Sequence, residues 1–187
     1  MRRYAILFAL LAGSAAAADS APPAGAHQFD FLLGEWKLDV HPKVSGLAAM
    51  IHGAPTLAGN WRAWRVLDGR AIEDEMRVTD MSGNPLALNR SLRVYATGEE
   101  RWQSSGIDAY HGRASTGSGS FRDGELRLDG RSSDAAGNPV LTRTRFFDIS
   151  ADAFRMQQDR STDNGQTWDE GVIAIDARRT AASAAGT

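Results

Sequence analysis

The feature that most constrains this chain is a rhythm of short apolar or alternating runs broken by turn residues. From Glu35 onward about ten such runs can be counted, at 35–40, 58–66, 70–79, 86–96, 99–107, 112–121, 125–133, 140–149, 153–160 and 167–178. Between them stand Leu67-Asp68-Gly69, Met81-Ser82-Gly83-Asn84, Thr97-Gly98, Asp123-Gly124, Ala136-Gly137-Asn138 and Asp163-Asn164-Gly165. Their Gly and Asn residues supply the positive φ that tight hairpins need. No long helical period interrupts them, so the pattern predicts an antiparallel meander. A meander of that length either leaves two exposed edges or closes on itself, and only closure removes the edges. The expectation is an all-β, closed up-and-down barrel of about ten strands over residues 29–179, with a two-sheet sandwich as the alternative.

The connection from His41 to Asn60 breaks the rhythm. Its centre, Ser45 to His52, mixes Ala and Met with Gly and allows at most a short helix. A connection of that length serves as a lid or binding loop, or simply caps one barrel end.

Ahead of the barrel, Met1-Arg2-Arg3, the apolar run from Ala5 to Leu11 and the small residues from Ser14 to Ala18 follow the order of a secretory signal. Residues 1–18 are therefore expected to be cleaved after Ala18, and the protein to be periplasmic or secreted. The apolar part is shorter than the roughly 20 residues a bilayer crossing needs, so no membrane anchor is expected. Position 14 is Ser rather than the Cys that lipidation requires. Residues 19–28 read as a loose mature N-terminus and 180–187 as a disordered tail. With no cysteine, export brings no disulfides and the fold must stand on packing. The 21 basic and 23 acidic residues are interspersed, giving a net charge of −2 and no footprint for nucleic acid. Oligomeric state is not legible.

The stretch Phe29-Asp30-Phe31-Leu32-Leu33-Gly34-Glu35-Trp36, followed by Ser91-Leu92-Arg93-Val94-Tyr95, Trp102 and the 161–168 turn, resembles an uncharacterised bacterial family of lipocalin-like (calycin) domains. The resemblance covers nearly the whole mature chain. It implies that Gly34 opens the first strand and that Trp36 plugs the closed end beneath a late arginine, with Arg178 as the positional candidate. More distantly the chain is similar to nitrobindin-like barrels, which hold haem iron through a late histidine. Here His27, His41, His52 and His111 are the only histidines and none lies later, so haem held in that manner is not expected, nor any other cofactor, although a loop histidine, His41 or His52, could approach a barrel mouth. Their spacings do not suit a metal either.

The run Ser161-Thr162-Asp163-Asn164-Gly165-Gln166-Thr167-Trp168 matches the Asp-box of sialidase-type propellers, but a single copy builds no propeller. Asp163, Gly165 and Trp168 are read as a self-stabilised, structural hairpin. Standard catalytic signatures are absent, so no catalytic residue is assigned. What the strands carry instead is single charges on apolar faces: Asp74 among Ile72, Met76 and Val78, and Arg90 among Leu86, Leu88, Leu92 and Val94. Period-2 patterning does not decide which of these faces is inside. Arg143 and Arg145 are read as solvated. The leading expectation is a barrel that binds a small hydrophobic or amphipathic molecule, anchored by Asp74 or Arg90 and walled by Trp61, Trp64, Tyr95 and Trp102. A cavity enzyme using an Asp/Arg pair and a solid-core interaction domain are the alternatives.

Overall fold

A computed structural model describes residues 22–44 and 55–180. The signal-like segment, the centre of the first long connection with His52, and residues 181–187 lie outside the described residues. Two 3-10 turns, Ala24–His27 and Asp30–Leu32, precede ten strands. These are β1 (Gly34–Pro42), β2 (Leu57–Val66), β3 (Ala71–Thr79), β4 (Pro85–Ala96), β5 (Arg101–Asp108), β6 (Arg113–Arg122), β7 (Glu125–Ser133), β8 (Pro139–Phe147), β9 (Ala153–Ser161) and β10 (Asp169–Arg179). Every sequential pair is antiparallel, and β1 pairs with β10, closing the barrel with Trp36 opposite Arg179. The expected meander and its closure are both present. The sheet leaves no free edge among the described strands.

One end of the barrel is filled. Phe29, Leu32, Trp36, Trp102, Phe146 and Phe154 are almost wholly buried there and meet largely edge to face, with Phe29 and Trp102 ring centroids 4.9 Å apart and Trp36 and Phe154 4.7 Å apart. The Trp36 indole donates to Leu32 O at 2.8 Å. The arginine over it is Arg179, with its guanidinium carbon 4.1 Å from the ring centroid. Arg179 also donates to Leu33 O at 2.6 Å and Phe31 O at 3.2 Å, tying the chain before β1 to the end of β10. This corrects the positional assignment of Arg178. Arg178 pairs in register with the outward Lys37, whereas Arg179 shares the Trp36 face.

Residues 22–28, the described part of the stretch expected to be loose, also belong to this plug. Ala26 is buried, the space a side chain at Gly25 would fill is occupied by the Tyr95 ring, and Arg65 bonds to Asp30 and Ala26 O.

The opposite end is the mouth, and four of its hairpins share one device. An aspartate at the start of the turn accepts backbone N–H groups from within it, replacing ladder bonds the turn forgoes. Asp80 accepts from Ser82 at 2.8 Å and Asn84 at 2.9 Å, and Asp134 from Ala136 and Asn138, both at 2.9 Å. Asp108 accepts from Tyr110 at 3.2 Å and His111 at 3.3 Å. Asp163 accepts from the Thr167 amide at 2.9 Å and the Thr167 hydroxyl at 2.6 Å, while Trp168 donates to Gly165 O. Arg143, outside the barrel, covers Trp168 at 3.8 Å. The Thr167 bonds lower the Asp163 pKa to about 2, and bonds from Asn84 and Asn138 lower those of Asp80 and Asp134. The Asp163 hairpin is thus one of four Asp-clasped turns. The matching spacings Asp80-x-x-Gly83-Asn84 and Asp134-x-x-Gly137-Asn138 were a sequence signal for two of the others.

Candidate functional site

Between plug and mouth the barrel is hollow, enclosing a cavity of about 530 Å³. That volume lies within the range of small-molecule pockets. Its floor holds an ion pair. Asp74, on the inner face of β3, is 2% exposed, and Arg93, on the inner face of β4, is 7% exposed. Arg93 Nε donates to Asp74 Oδ2 at 2.7 Å and Nη2 to Oδ1 at 3.1 Å, while Trp61 Nε1 donates to Oδ1 at 2.9 Å. Both carboxylate oxygens are engaged, as a buried charge requires. The Arg93 guanidinium lies over the Phe29 ring, 5.0 Å from its centroid. Its Nη1 amino group makes no hydrogen bond among the described residues.

The walls are of two kinds. Val40, Leu57, Met76, Val78, Ile173 and Ile175, from β1 to β3 and β10, form an apolar side. Facing them, β4 to β9 contribute Ser91, Ser104, Ser115, Thr142, Thr144 and Gln158, interleaved with Gly106, Gly117 and Gly130. The glycines are where the wall is tightest: a Cβ on Gly130 would stand 2.4 Å from Thr142 Oγ1, and one on Gly117 2.9 Å from Ser104 Oγ. Some hydroxyls are already used, Ser104 donating to Gly117 O at 3.3 Å and Thr144 accepting from Gln158 at 3.0 Å. At the rim Arg113 faces Asp108 at 3.7 Å.

The structure brings together only part of the expected site. Asp74 and Trp61 lie on the cavity floor. Tyr95 and Trp102 face inward but belong to the plug, their rings 5.6 Å apart, and do not line the cavity. Arg90 and Trp64 are on the outer surface, which corrects their placement as inner anchor and wall. Arg90 Nε bonds Glu73 at 2.7 Å, and Arg62 and Arg90 lie over the Trp64 ring at 5.4 and 5.5 Å. Arg90 also holds the Glu73 carboxyl below its ordinary pKa by hydrogen bonding.

The physical reason is register. Asp74 stands opposite Ser91 and Met76 opposite Asn89, so the odd-numbered residues of β4 face inward and the partner is Arg93. Pairing across the Asp80 turn was the available signal, since directly opposed residues share a face. Arg145 stands outside, bonding Glu125 at 3.5 Å. Among the described residues no group of three or more His, Asp or Glu side chains could hold a metal ion.

With fold and cavity in hand, the class is a lipocalin-like barrel. The S-type phycobiliprotein lyase CPES from Guillardia theta superposes on 83% of this chain and 92% of its own, with a TM-score of 0.55 at 12% identity. EF1p2_mFAP2b bound to DFHBI covers 84% of this chain and 100% of its own (TM-score 0.41, 11% identity). The redesigned β-barrel mFAP1 bound to DFHBI covers 80% and 96% (TM-score 0.38, 11% identity). No family model and no curated protein matches the sequence.

Proposed function

We propose that this chain is an exported, non-catalytic barrel that carries one small amphipathic molecule. The observation that carries the reading is the open cavity of about 530 Å³ with a buried Arg93–Asp74 pair at its floor. A packed interaction domain would fill that space, and an unliganded floor of this kind is expensive, because ordering two charges away from water costs several kcal/mol per ion. Asp74 is poorly suited to act as a base, since both its oxygens already accept hydrogen bonds. One apolar and one hydroxyl-bearing wall suit a molecule with one apolar and one polar side. Export rests on the order of charged, apolar and small residues from Met1 to Ala18. Mass spectrometry of protein purified from its periplasmic or culture fraction, run under native conditions, is expected to show a retained small molecule. Saturable one-to-one uptake of an apolar fluorescent dye is expected after that molecule is stripped. A chain that takes up no dye after stripping overturns the carrier reading.

A further inference from the structure

The interior carries guanidinium groups at two depths: Arg93 at the floor is paired with Asp74, and of the two that face inward at the mouth Arg113 lies 3.7 Å from Asp108 while the Arg160 side chain makes no ion pair among the described residues. Arg93 and Arg160 belong to one continuous row of register. Arg93 is opposite Ser104, Ser104 opposite Gly117, Gly117 opposite Gly130, Gly130 opposite Thr142, and Thr142 opposite Arg160. From β4 to β9 the row crosses half of the ten-strand circumference, so the two arginines stand on opposite walls. With about 4.8 Å between strands and a strand tilt near 40°, such a row climbs on the order of 15 Å along the barrel axis. Arg93 is at the floor. Arg160, near the end of β9, lines the mouth, and its side chain makes no hydrogen bond or ion pair to any described residue.

The two groups select different atoms. A carboxylate placed at Arg93 would share its guanidinium with Asp74, adding a second buried negative charge to a pair that is already neutral. A carbonyl or amide oxygen avoids that cost and can accept from the unused Nη1. At the mouth the reverse holds: Arg160 is solvated and makes no ion pair, its register partner Asp169 being held by Lys43 at 2.7 Å, so it gains a charge-assisted bond from a carboxylate. Between them the small residues Ser104, Gly117, Gly130 and Thr142 face the apolar Val40, Met76 and Ile175, leaving a passage for an unbranched apolar chain.

We propose that the ligand is an elongated monoanion, with a neutral carbonyl or amide oxygen held down on Arg93 and a carboxylate held up at Arg160. The inference rests on the carrier reading and fixes the ligand's class and direction.

The test is displacement of a bound apolar dye from the purified chain by dodecanedioic acid monoamide, dodecanoic acid, dodecanamide and dodecanedioic acid. The monoamide is expected to bind about ten-fold or more tightly than each of the others, the lower end of what one hydrogen bond to a charged group contributes. Arg160→Gln, which removes no side-chain hydrogen bond or ion pair among the described residues, is expected to weaken the monoamide by a similar factor and leave dodecanamide unchanged. Asp74→Asn keeps an oxygen acceptor for Trp61 and Arg93 while removing the floor's negative charge, and is expected to make dodecanedioic acid the tighter ligand. A monoamide no tighter than dodecanoic acid, or an Arg160→Gln variant that binds it like the parent, overturns this proposal and leaves the carrier reading standing as long as the dye binds. Failure of every probe, dye included, overturns both.

Discussion

Replacing Arg93 by methionine removes one half of the floor pair and leaves Asp74, 2% exposed, with Trp61 Nε1 as its only remaining side-chain donor among the described residues. Breaking a buried pair from one side costs about 3–5 kcal/mol, because the remaining charge is held away from water without a counter-charge. For a domain of this size each kcal/mol lowers the melting temperature by about 2–4 °C, so Arg93→Met is expected to lose about 10 °C. Asp74→Leu falls in the same range, since it strands the guanidinium instead. The double variant Asp74→Leu/Arg93→Met removes both charges and is expected to lose only about 1–3 kcal/mol, mainly from the Trp61 indole losing its acceptor. Urea unfolding followed by tryptophan fluorescence on the four proteins gives the coupling energy directly. A coupling below about 0.5 kcal/mol, with the single losses simply adding, would refute the claim that the pair is held by mutual neutralisation.

Four further outcomes are expected. Trp36→Ala should cost about 3–5 kcal/mol in chemical denaturation, because its ring is 1% exposed between Phe154 and Arg179. The pKa of Asp163 is lowered from 3.8 to about 2 in the folded state, so its contribution is complete above about 3.8 and is lost as pH falls through about 2. Asp163→Ala should therefore lower the melting temperature near neutral pH and lose its effect close to pH 2, with dye uptake intact throughout. Gly119→Ala should prevent normal folding, judged by soluble yield and circular dichroism, because its Cβ would stand 1.8 Å from the backbone oxygen of Arg127. Intact-mass analysis of exported protein should find a chain starting at or near Asp19.

The strand boundaries were legible because each hairpin spends Gly, Asn or Asp on its turn, and those residues interrupt the apolar runs. The inside of β4 was not. Its hydrophobic members Leu88, Leu92 and Val94 share a face with Arg90, Leu92 and Val94 being 37% and 38% exposed on the outer surface, while Leu86 stands at the register shift before Ala87 and borders the cavity mouth. The inward face is Ala87, Asn89, Ser91, Arg93 and Tyr95. In a packed barrel the more apolar face belongs inside, but a hollow one lines its interior with groups meant for a ligand or water, so the hydrophobic pattern loses its meaning over the cavity. Asp74, whose face period-2 patterning left as open as that of Arg90, does stand inside, because on β3 the apolar face with Ile72, Met76 and Val78 is the inward one. Arg178 and Arg179 differ by one residue, and on a period-2 strand one residue is the difference between water and the Trp36 ring.

The four Asp clasps at the mouth separate what holds the rim from what the rim displays. In each turn the bonds run between the aspartate and residues of the same short loop, so the loop keeps its path without help from neighbouring loops. Side chains at the tips, such as Met81 at 78% exposure and Ala135, take no part in those bonds. Such positions can be exchanged one hairpin at a time while the opening keeps its diameter. The rim is in that sense a set of interchangeable keys on a fixed ring, where the chemistry of the opening can be rewritten without redesigning the barrel beneath it.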